Sequence, residues 1–115
     1  MSTITIPSPS VIYKNAVAHG WYDGQDPAHV DFFPMKLALI HAEISEALEA
    51  YRKDGLAHIS DPQKPGTDSI AEEFADVVIR VLDVCGCYGI DIAKAINDKH
   101  EYNVKRPYKH GGKIV

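Results

Sequence analysis

Apolar residues recur at intervals of three and four in two segments of this sequence, residues 37–51 and 70–85. Side chains with this spacing lie on one face of an α-helix, so each segment predicts an amphipathic helix with a buried stripe. The stripe residues are Leu37, Ile40, Ile44, Ala47, Leu48 and Tyr51 in the first segment, and Ile70, Phe74, Val77, Val78, Val81, Leu82 and Cys85 in the second. No alternating pattern of comparable strength indicates β-strands. The sequence therefore predicts an all-α fold.

Capping residues and helix breakers divide the chain into four predicted helices. The N-caps are Ser10, Asp31, Ser69 and Asp91, and the helices end near Gly20, at Lys53, over residues 86–89 and near Lys105. Ser69 followed by Glu72 forms a capping box. Four helices with short or modest loops predict an antiparallel four-helix bundle in a single domain, residues 1–115. We expect residues 1–10 to be extended and residues 107–115 to form a basic tail.

The composition limits the partners that this domain can have. The net charge is −4 at pH 7, so the chain lacks the positive field that binds the phosphates of a nucleic acid polymer. The apolar runs are far shorter than the ~20 residues that cross a bilayer, and the first residues lack the basic and apolar regions of a signal peptide. We therefore expect no membrane partner and a cytoplasmic location, where Cys85 and Cys87 stay reduced. A core of this size is thin, so we also expect a homodimer or a dimer of dimers.

Two pairs of carboxylates repeat the same spacing on the two amphipathic helices. Glu43 and Glu46 are three residues apart, as are Glu73 and Asp76, so each pair projects from one side of its helix. Both pairs lie beside apolar residues, where unpaired charges are costly. A divalent cation would remove their repulsion, and an all-oxygen ligand set suits Mg²⁺ or Mn²⁺. Spacing alone leaves two interpretations open, one shared metal site or two solvated acidic surfaces. A di-iron site is not predicted, because no Glu is followed three residues later by His.

Three blocks of sequence carry a family resemblance: LALIHAEISEALEAYRKDG, IAEEFADVVIRVLDVCGCYGIDI and KHEYNVKRPYKHGGKIV. In this order they resemble the MazG-like nucleoside triphosphate pyrophosphohydrolases, an all-α group related to the dimeric dUTPases, over residues 36–115. The resemblance implies Mg²⁺-dependent hydrolysis of an NTP or dNTP between the α and β phosphates, giving a monophosphate and pyrophosphate. It also implies that Glu43, Glu46, Glu73 and Asp76 hold Mg²⁺. A carboxylate of the first pair would then accept the proton of the attacking water.

Candidates for phosphate binding lie on the fourth helix and after it. Lys99, Asn103 and Arg106 are separated by four and three residues, so they form one stripe along a helix that suits a bound triphosphate. The alternative is an ordinary cationic helix C-terminus, which the helix macrodipole favours. Lys109 follows in the basic tail, from which it could close over the phosphates.

Two further candidates precede the carboxylates. Trp21 resembles the aromatic residue that related enzymes stack on the base, although a tryptophan can equally pack in a core. Lys36 lies at the start of the second helix, where it could reach a phosphate or remain a surface lysine. No residue predicts the nucleobase. The alternative function is a non-catalytic helical module that binds a nucleotide or a protein partner.

Overall fold

The computed structural model describes residues 5–62, 66–112 and 114, apart from the side chain of His110. These residues form the helices α1 (Pro9–Ala18), α2 (Phe32–Asp54), α3 (Ile70–Tyr88), α4 (Ile92–Val104) and α5 (Lys109–Gly112), of which α5 is a single turn. No strand occurs among them, which confirms the all-α class. No helix in this part of the chain combines the length and the apolar content needed to cross a membrane.

Helix α1 begins earlier than predicted. Its N-cap is Ser8, whose hydroxyl accepts a hydrogen bond from the Val11 N–H at 3.2 Å. Pro9 takes the first helical position, which needs no N–H donor and suits the fixed φ of proline. The predicted N-cap Ser10 was therefore wrong. Of the predicted extended segment, residues 5–8 have no regular structure and residues 1–4 lie outside the described part of the chain.

The starts of α2, α3 and α4 agree with the sequence. Ser69 Oγ accepts from the Glu72 N–H at 3.2 Å and the Glu72 carboxylate accepts from the Ser69 N–H at 3.5 Å, so the predicted capping box is confirmed. Asp91 caps α4 by accepting from the Lys94 N–H at 3.1 Å. Asp31 precedes α2 as predicted, but its side chain makes no capping hydrogen bond.

Helix α3 is central to the fold, because it packs against both α1 and α2. The approach of α1 depends on Gly86, in the last turn of α3. A Cβ at this position would lie 2.3 Å from the carbonyl oxygen of Pro9 and 2.6 Å from the Cβ of Tyr13. Any side chain at residue 86 would therefore push α1 away from α3.

Helices α2 and α3 run antiparallel. Lys36, in the first turns of α2, pairs with Asp83 in the second half of α3. Glu46, more than two turns further along α2, lies beside Glu73 in the first turn of α3. This register brings the two predicted carboxylate pairs face to face.

Helix α4 does not join this packing, so the bundle within one chain has three helices, and the predicted four-helix arrangement is not seen. None of the residues of α4 is buried, and α4 packs closely on neither α2 nor α3. All residues between Ile96 and Tyr102 are polar or charged, so α4 offers no continuous apolar stripe to bury. The radius of gyration is accordingly 17.1 Å, whereas a compact domain of this length would have about 13 Å.

The core is small and contains charged residues. The buried apolar residues are Phe32, Ala47, Ile70, Val84 and Cys85, and the buried polar residues are Lys36, Glu43, Ser69 and Glu73. Part of each predicted apolar stripe is instead about half exposed, namely Leu37, Ile44, Leu48, Tyr51, Phe74 and Val78. The two amphipathic helices were thus predicted correctly and their buried faces only in part, because charged side chains share the contact between α2 and α3.

Candidate metal centre

Three carboxylates from the two predicted pairs converge between α2 and α3. Glu43 projects from the middle of α2, and Glu73 and Asp76 project from the first two turns of α3. One oxygen from each residue lies within 4.8 Å of the other two. Glu43 and Glu73 are each only 8% exposed, and Asp76 is half-buried. Oxygens that share one Mg²⁺ or Ca²⁺ lie up to about 4–5 Å apart, twice the metal–oxygen distance, so this arrangement fits a divalent ion.

Two oxygens of the cluster have no hydrogen-bond partner. Oε2 of Glu43 and Oε2 of Glu73 are inaccessible to solvent and accept no hydrogen bond from the described residues. A buried carboxylate oxygen in this state is costly, because it has lost its hydration without compensation. A divalent cation compensates such atoms by accepting their lone pairs and offsetting their charge. The orphaned oxygens therefore favour the metal-site interpretation over two solvated acidic surfaces.

The crowding of negative charge raises pKa values in the cluster. Burial, followed by a hydrogen bond and charge repulsion with Glu46, raises the pKa of Glu73 from 4.5 to about 7. The pKa of Asp76 is also raised, first by burial and then by the charge of Glu43, while the charge of Arg80 opposes the shift. An opposite charge at the centre of the cluster would favour the ionised forms again. The raised pKa values thus indicate a site that favours a cation, as the converging oxygens also do.

Glu46, the fourth predicted ligand, lies at the edge of the cluster. It is exposed and is not among the three converging carboxylates, but its side chain contacts Glu73. Both residues line an open groove of about 540 Å³ between the C-terminal half of α2 and the segment that leads into α3. Lys53 and His58 line the same groove. Glu46 therefore lies where a molecule in the groove would meet the cluster.

Arg80 belongs to the site, although no sequence motif identified it. Its Nε donates a hydrogen bond to Oε1 of Glu43 at 2.6 Å, across the contact between α2 and α3. The sequence feature that could have identified Arg80 is its spacing from the acids of α3. Arg80 follows Asp76 by four residues and Glu73 by seven, which places all three on one face of α3.

Lys36 lies in the core, so the alternative of a surface lysine was wrong. Its Nζ is 3.7 Å from a carboxylate oxygen of Asp83, 4.5 Å from the ring centroid of Tyr22 and 5.3 Å from that of Phe32. The Tyr22 hydroxyl donates to the same Asp83 carboxylate at 2.9 Å. This group joins α2 and α3 to the segment before α2. The role of Lys36 in phosphate binding stays a prediction, and its ammonium already has an anionic partner.

The predicted cationic stripe lies only partly on α4, because Arg106 lies two residues beyond the end of the helix at Val104. Lys99 Nζ lies 4.9 Å from the ring centroid of Tyr102, and the guanidinium carbon of Arg106 lies 5.5 Å from it. Both cations therefore lie near the Tyr102 ring, but only Lys99 and Asn103 lie on the helix as predicted, and Asn103 is exposed next to Tyr102. We call Lys99, Asn103 and Arg106 the α4 stripe. Because α4 packs closely on neither α2 nor α3, one chain does not bring this stripe to its own carboxylates.

Trp21 and Lys109 are both at the surface. Trp21 is 72% exposed in the turn after α1, so the alternative of core packing was wrong. Lys109 begins α5, and its Nζ lies 5.7 Å from the ring centroid of Tyr108. Neither is seen in contact with the carboxylate cluster, and their roles towards a nucleotide stay predictions.

Comparison of the chain with protein-family models, with curated proteins and with solved structures finds no match in any of the three. The resemblance to the MazG-like enzymes therefore stays a prediction that rests on the sequence blocks quoted above. Function is inferred from the residues of this chain and their geometry.

Proposed function

We propose that this protein is a Mg²⁺-dependent nucleoside triphosphate pyrophosphohydrolase of the MazG-like kind. It cleaves an NTP or dNTP between the α and β phosphates and releases a monophosphate and pyrophosphate. The observation that carries the proposal is the convergence of Glu43, Glu73 and Asp76, with two buried oxygens that lack a hydrogen-bond partner. The sequence blocks around these acids support the same class of enzyme.

The carboxylates divide into ligands and a candidate base. Glu43, Glu73 and Asp76 hold Mg²⁺, or Mn²⁺ as the alternative. The bound ion offsets the charge of the triphosphate and lowers the pKa of a coordinated water. Glu46 is exposed at the groove beside Glu73, so it supplies either a fourth ligand or the base that accepts the proton of the attacking water. Glu43 is less suited to be this base, because Arg80 already occupies one of its oxygens.

The groove beside Glu46 and Glu73 is the place for the nucleotide in this proposal. Its volume of about 540 Å³ falls within the ~300–1,000 Å³ typical of small-molecule pockets. Among the described residues that line it, only Lys53 carries a permanent positive charge, and acidic residues outnumber it. An anionic triphosphate therefore gains little from the groove alone. Nucleotide binding itself, and not only hydrolysis, is expected to require the divalent ion.

A second copy of the chain completes the enzyme in this proposal. The α2 helix leaves an apolar face about half exposed, consisting of Leu37, Ile44, Leu48 and Tyr51. Contiguous apolar surface of this kind is typical of protein–protein contacts. A homodimer would cover this face, and two dimers could associate in turn. The α4 stripe of one copy is then free to approach the triphosphate held by the other.

Pyrophosphate release from a panel of canonical and modified NTPs and dNTPs tests the proposal. The wild type with Mg²⁺ is expected to hydrolyse at least one member, and EDTA is expected to abolish the activity. Glu46→Gln and Glu73→Gln are expected to lower the rate by about 100-fold or more, the usual contribution of a positioned acid–base or metal-binding group. Glu101→Gln, an exposed position on α4, is the matched control and is expected to retain the wild-type rate.

Three outcomes would count against this function or its site. Absence of turnover with every nucleotide would refute the hydrolase. Full activity of Glu73→Gln would refute the assignment of the metal centre instead. Mg²⁺-dependent nucleotide binding without hydrolysis would favour the alternative, a non-catalytic nucleotide-binding module.

A further inference from the structure

The ion pair between Arg80 and Glu43 is unlike the surface pairs of this protein. It joins α3 to α2, and its carboxylate partner is nine-tenths buried, since the Glu43 side chain is 10% exposed. The pairs Arg52–Glu49 and Lys94–Asp98, by contrast, lie within single helices and are at least 60% exposed at each side chain. Exposed pairs of that kind contribute little to stability, whereas a charged hydrogen bond to a buried carboxylate fixes the carboxylate in place.

The two oxygens of Glu43 are in different situations. Oε1 accepts the hydrogen bond from Arg80 Nε at 2.6 Å. Oε2 is buried and has no partner among the described residues. A carboxylate held by one oxygen cannot rotate freely about its last bond, so Oε2 keeps one direction. With Oε1 occupied, Oε2 is the oxygen that remains for a cation.

We propose that Arg80 is a positioning residue of the metal centre, which holds Glu43 so that a single oxygen, Oε2, is offered to the ion beside Glu73 and Asp76. Arg80 itself does not touch the ion. This inference rests on the proposed function, because it assumes that the cluster binds a divalent cation. It assigns a role to a side chain that neither the carboxylate spacing nor the sequence blocks single out.

A competing account gives Arg80 the opposite effect on metal affinity. If Arg80 only offset the negative charge of the acids, it would repel an incoming cation, and its removal would strengthen metal binding. If it positions Glu43, its removal lets the carboxylate turn, and binding weakens. Loss of residues that orient metal ligands typically lowers metal affinity by about 10–100-fold. The sign of the change therefore separates the two accounts.

Mn²⁺ titration of the full chain, followed by calorimetry and by the EPR signal of the free ion, provides the test. Arg80→Met is expected to bind Mn²⁺ about 10–100-fold more weakly than the wild type. Arg80→Lys is expected to recover part of the affinity, because an ammonium can still donate to Oε1. Arg52→Met removes an arginine from an exposed pair on α2 and is expected to leave the affinity unchanged.

The outcomes separate this inference from the function on which it rests. Equal or tighter Mn²⁺ binding by Arg80→Met would overturn the positioning role and leave the metal centre intact. No Mn²⁺ binding by the wild type would overturn the metal centre and this inference with it. If Arg80→Met does not fold, Arg80→Leu decides, because it also removes the charge and has no donor for Oε1. Weaker binding by Arg80→Leu supports positioning, and equal or tighter binding refutes it.

Discussion

Replacing Glu73 with glutamine is expected to stabilise the metal-free protein at pH 8, although Glu73 is a ligand in the proposed metal centre. Its side chain is buried, and its pKa is raised from 4.5 to about 7. The unfolded chain releases this proton near pH 4.5, whereas the folded chain holds it to about pH 7. The contribution of Glu73 to stability is therefore complete below pH 4.5 and is lost as the pH rises through about 7. Glutamine has the same shape and no charge, and its amide can donate a hydrogen bond to Glu46.

The size of the effect follows from the raised pKa. The change from 4.5 to about 7 corresponds to a loss of about 3 kcal/mol once Glu73 is fully ionised, at about 1.4 kcal/mol per pKa unit. In EDTA at pH 8, Glu73→Gln is therefore expected to exceed the wild type in free energy of unfolding by up to about 3 kcal/mol. At pH 5 the difference should fall below about 1 kcal/mol, because the folded wild type is then protonated at Glu73.

Urea unfolding at a fixed protein concentration, followed by far-ultraviolet circular dichroism at pH 5 and pH 8, measures these differences. Adding Mg²⁺ at pH 8 should narrow this difference and reverse it once the ion exceeds about 200 times its Kd, since the wild type gains stability from the ion and the variant has lost a ligand. Glu101→Gln serves as the control for removing one acidic charge. Its free energy of unfolding should equal that of the wild type at both pH values and with Mg²⁺. A metal-free Glu73→Gln protein that is less stable than the wild type at pH 8 would refute the reasoning. A difference that does not change between pH 5 and pH 8 would refute it too.

Three further substitutions test the packing. Gly86→Ala is expected to lower the free energy of unfolding by about 1–3 kcal/mol, because the new Cβ clashes with α1. The clash outweighs the ~1 kcal/mol by which alanine favours a helix over glycine. An unchanged melting temperature would contradict the close approach of α1 to α3. Lys36→Met is expected to cost about 3–5 kcal/mol in urea unfolding, because Asp83, whose side chain is only 14% exposed, loses its cation. The double variant Lys36→Met/Asp83→Asn should recover part of the loss. Equal stability of the wild type and Lys36→Met would contradict the pairing. Leu48→Lys is expected to reduce the mass measured by light scattering towards that of a monomer, whereas Leu56→Lys, outside the helices, should not. An unchanged mass for Leu48→Lys would exclude the α2 face as the contact.

The positions of the helices could be predicted because they depend on neighbours along the chain. The capping box of Ser69 and Glu72 is formed by residues three apart, and the structure contains it as the sequence indicates. The N-cap of α1 was missed for an equally local reason. Ser8 and Ser10 are both suitable caps, and the preference of Pro9 for the first helical position decides between them.

The exclusion of α4 from the packing could not be predicted from helix positions. A helix joins a bundle only if it offers an apolar stripe that a partner helix can cover. The residues between Ile96 and Tyr102 interrupt that stripe, and Gly89, which ends α3 in the left-handed conformation, sets the direction in which the chain leaves the bundle. Four predicted helices therefore gave the correct fold class, whereas the four-helix arrangement is not seen among the described residues of one chain.

The arrangement of charges along the contact between α2 and α3 accounts for the character of the site. Charged residues recur there at intervals of seven, an interval that keeps them on one face of a helix. The pairs at this interval are Lys36 and Glu43 on α2, and Glu73 and Arg80 together with Asp76 and Asp83 on α3. In the antiparallel register Lys36 neutralises Asp83, and Arg80 neutralises one of the three converging carboxylates. Two negative charges then remain among these three carboxylates, beside two oxygens that have no partner among the described residues. One divalent cation balances these two remaining negative charges. We therefore expect one ion per chain before the nucleotide binds and a further ion only together with the triphosphate.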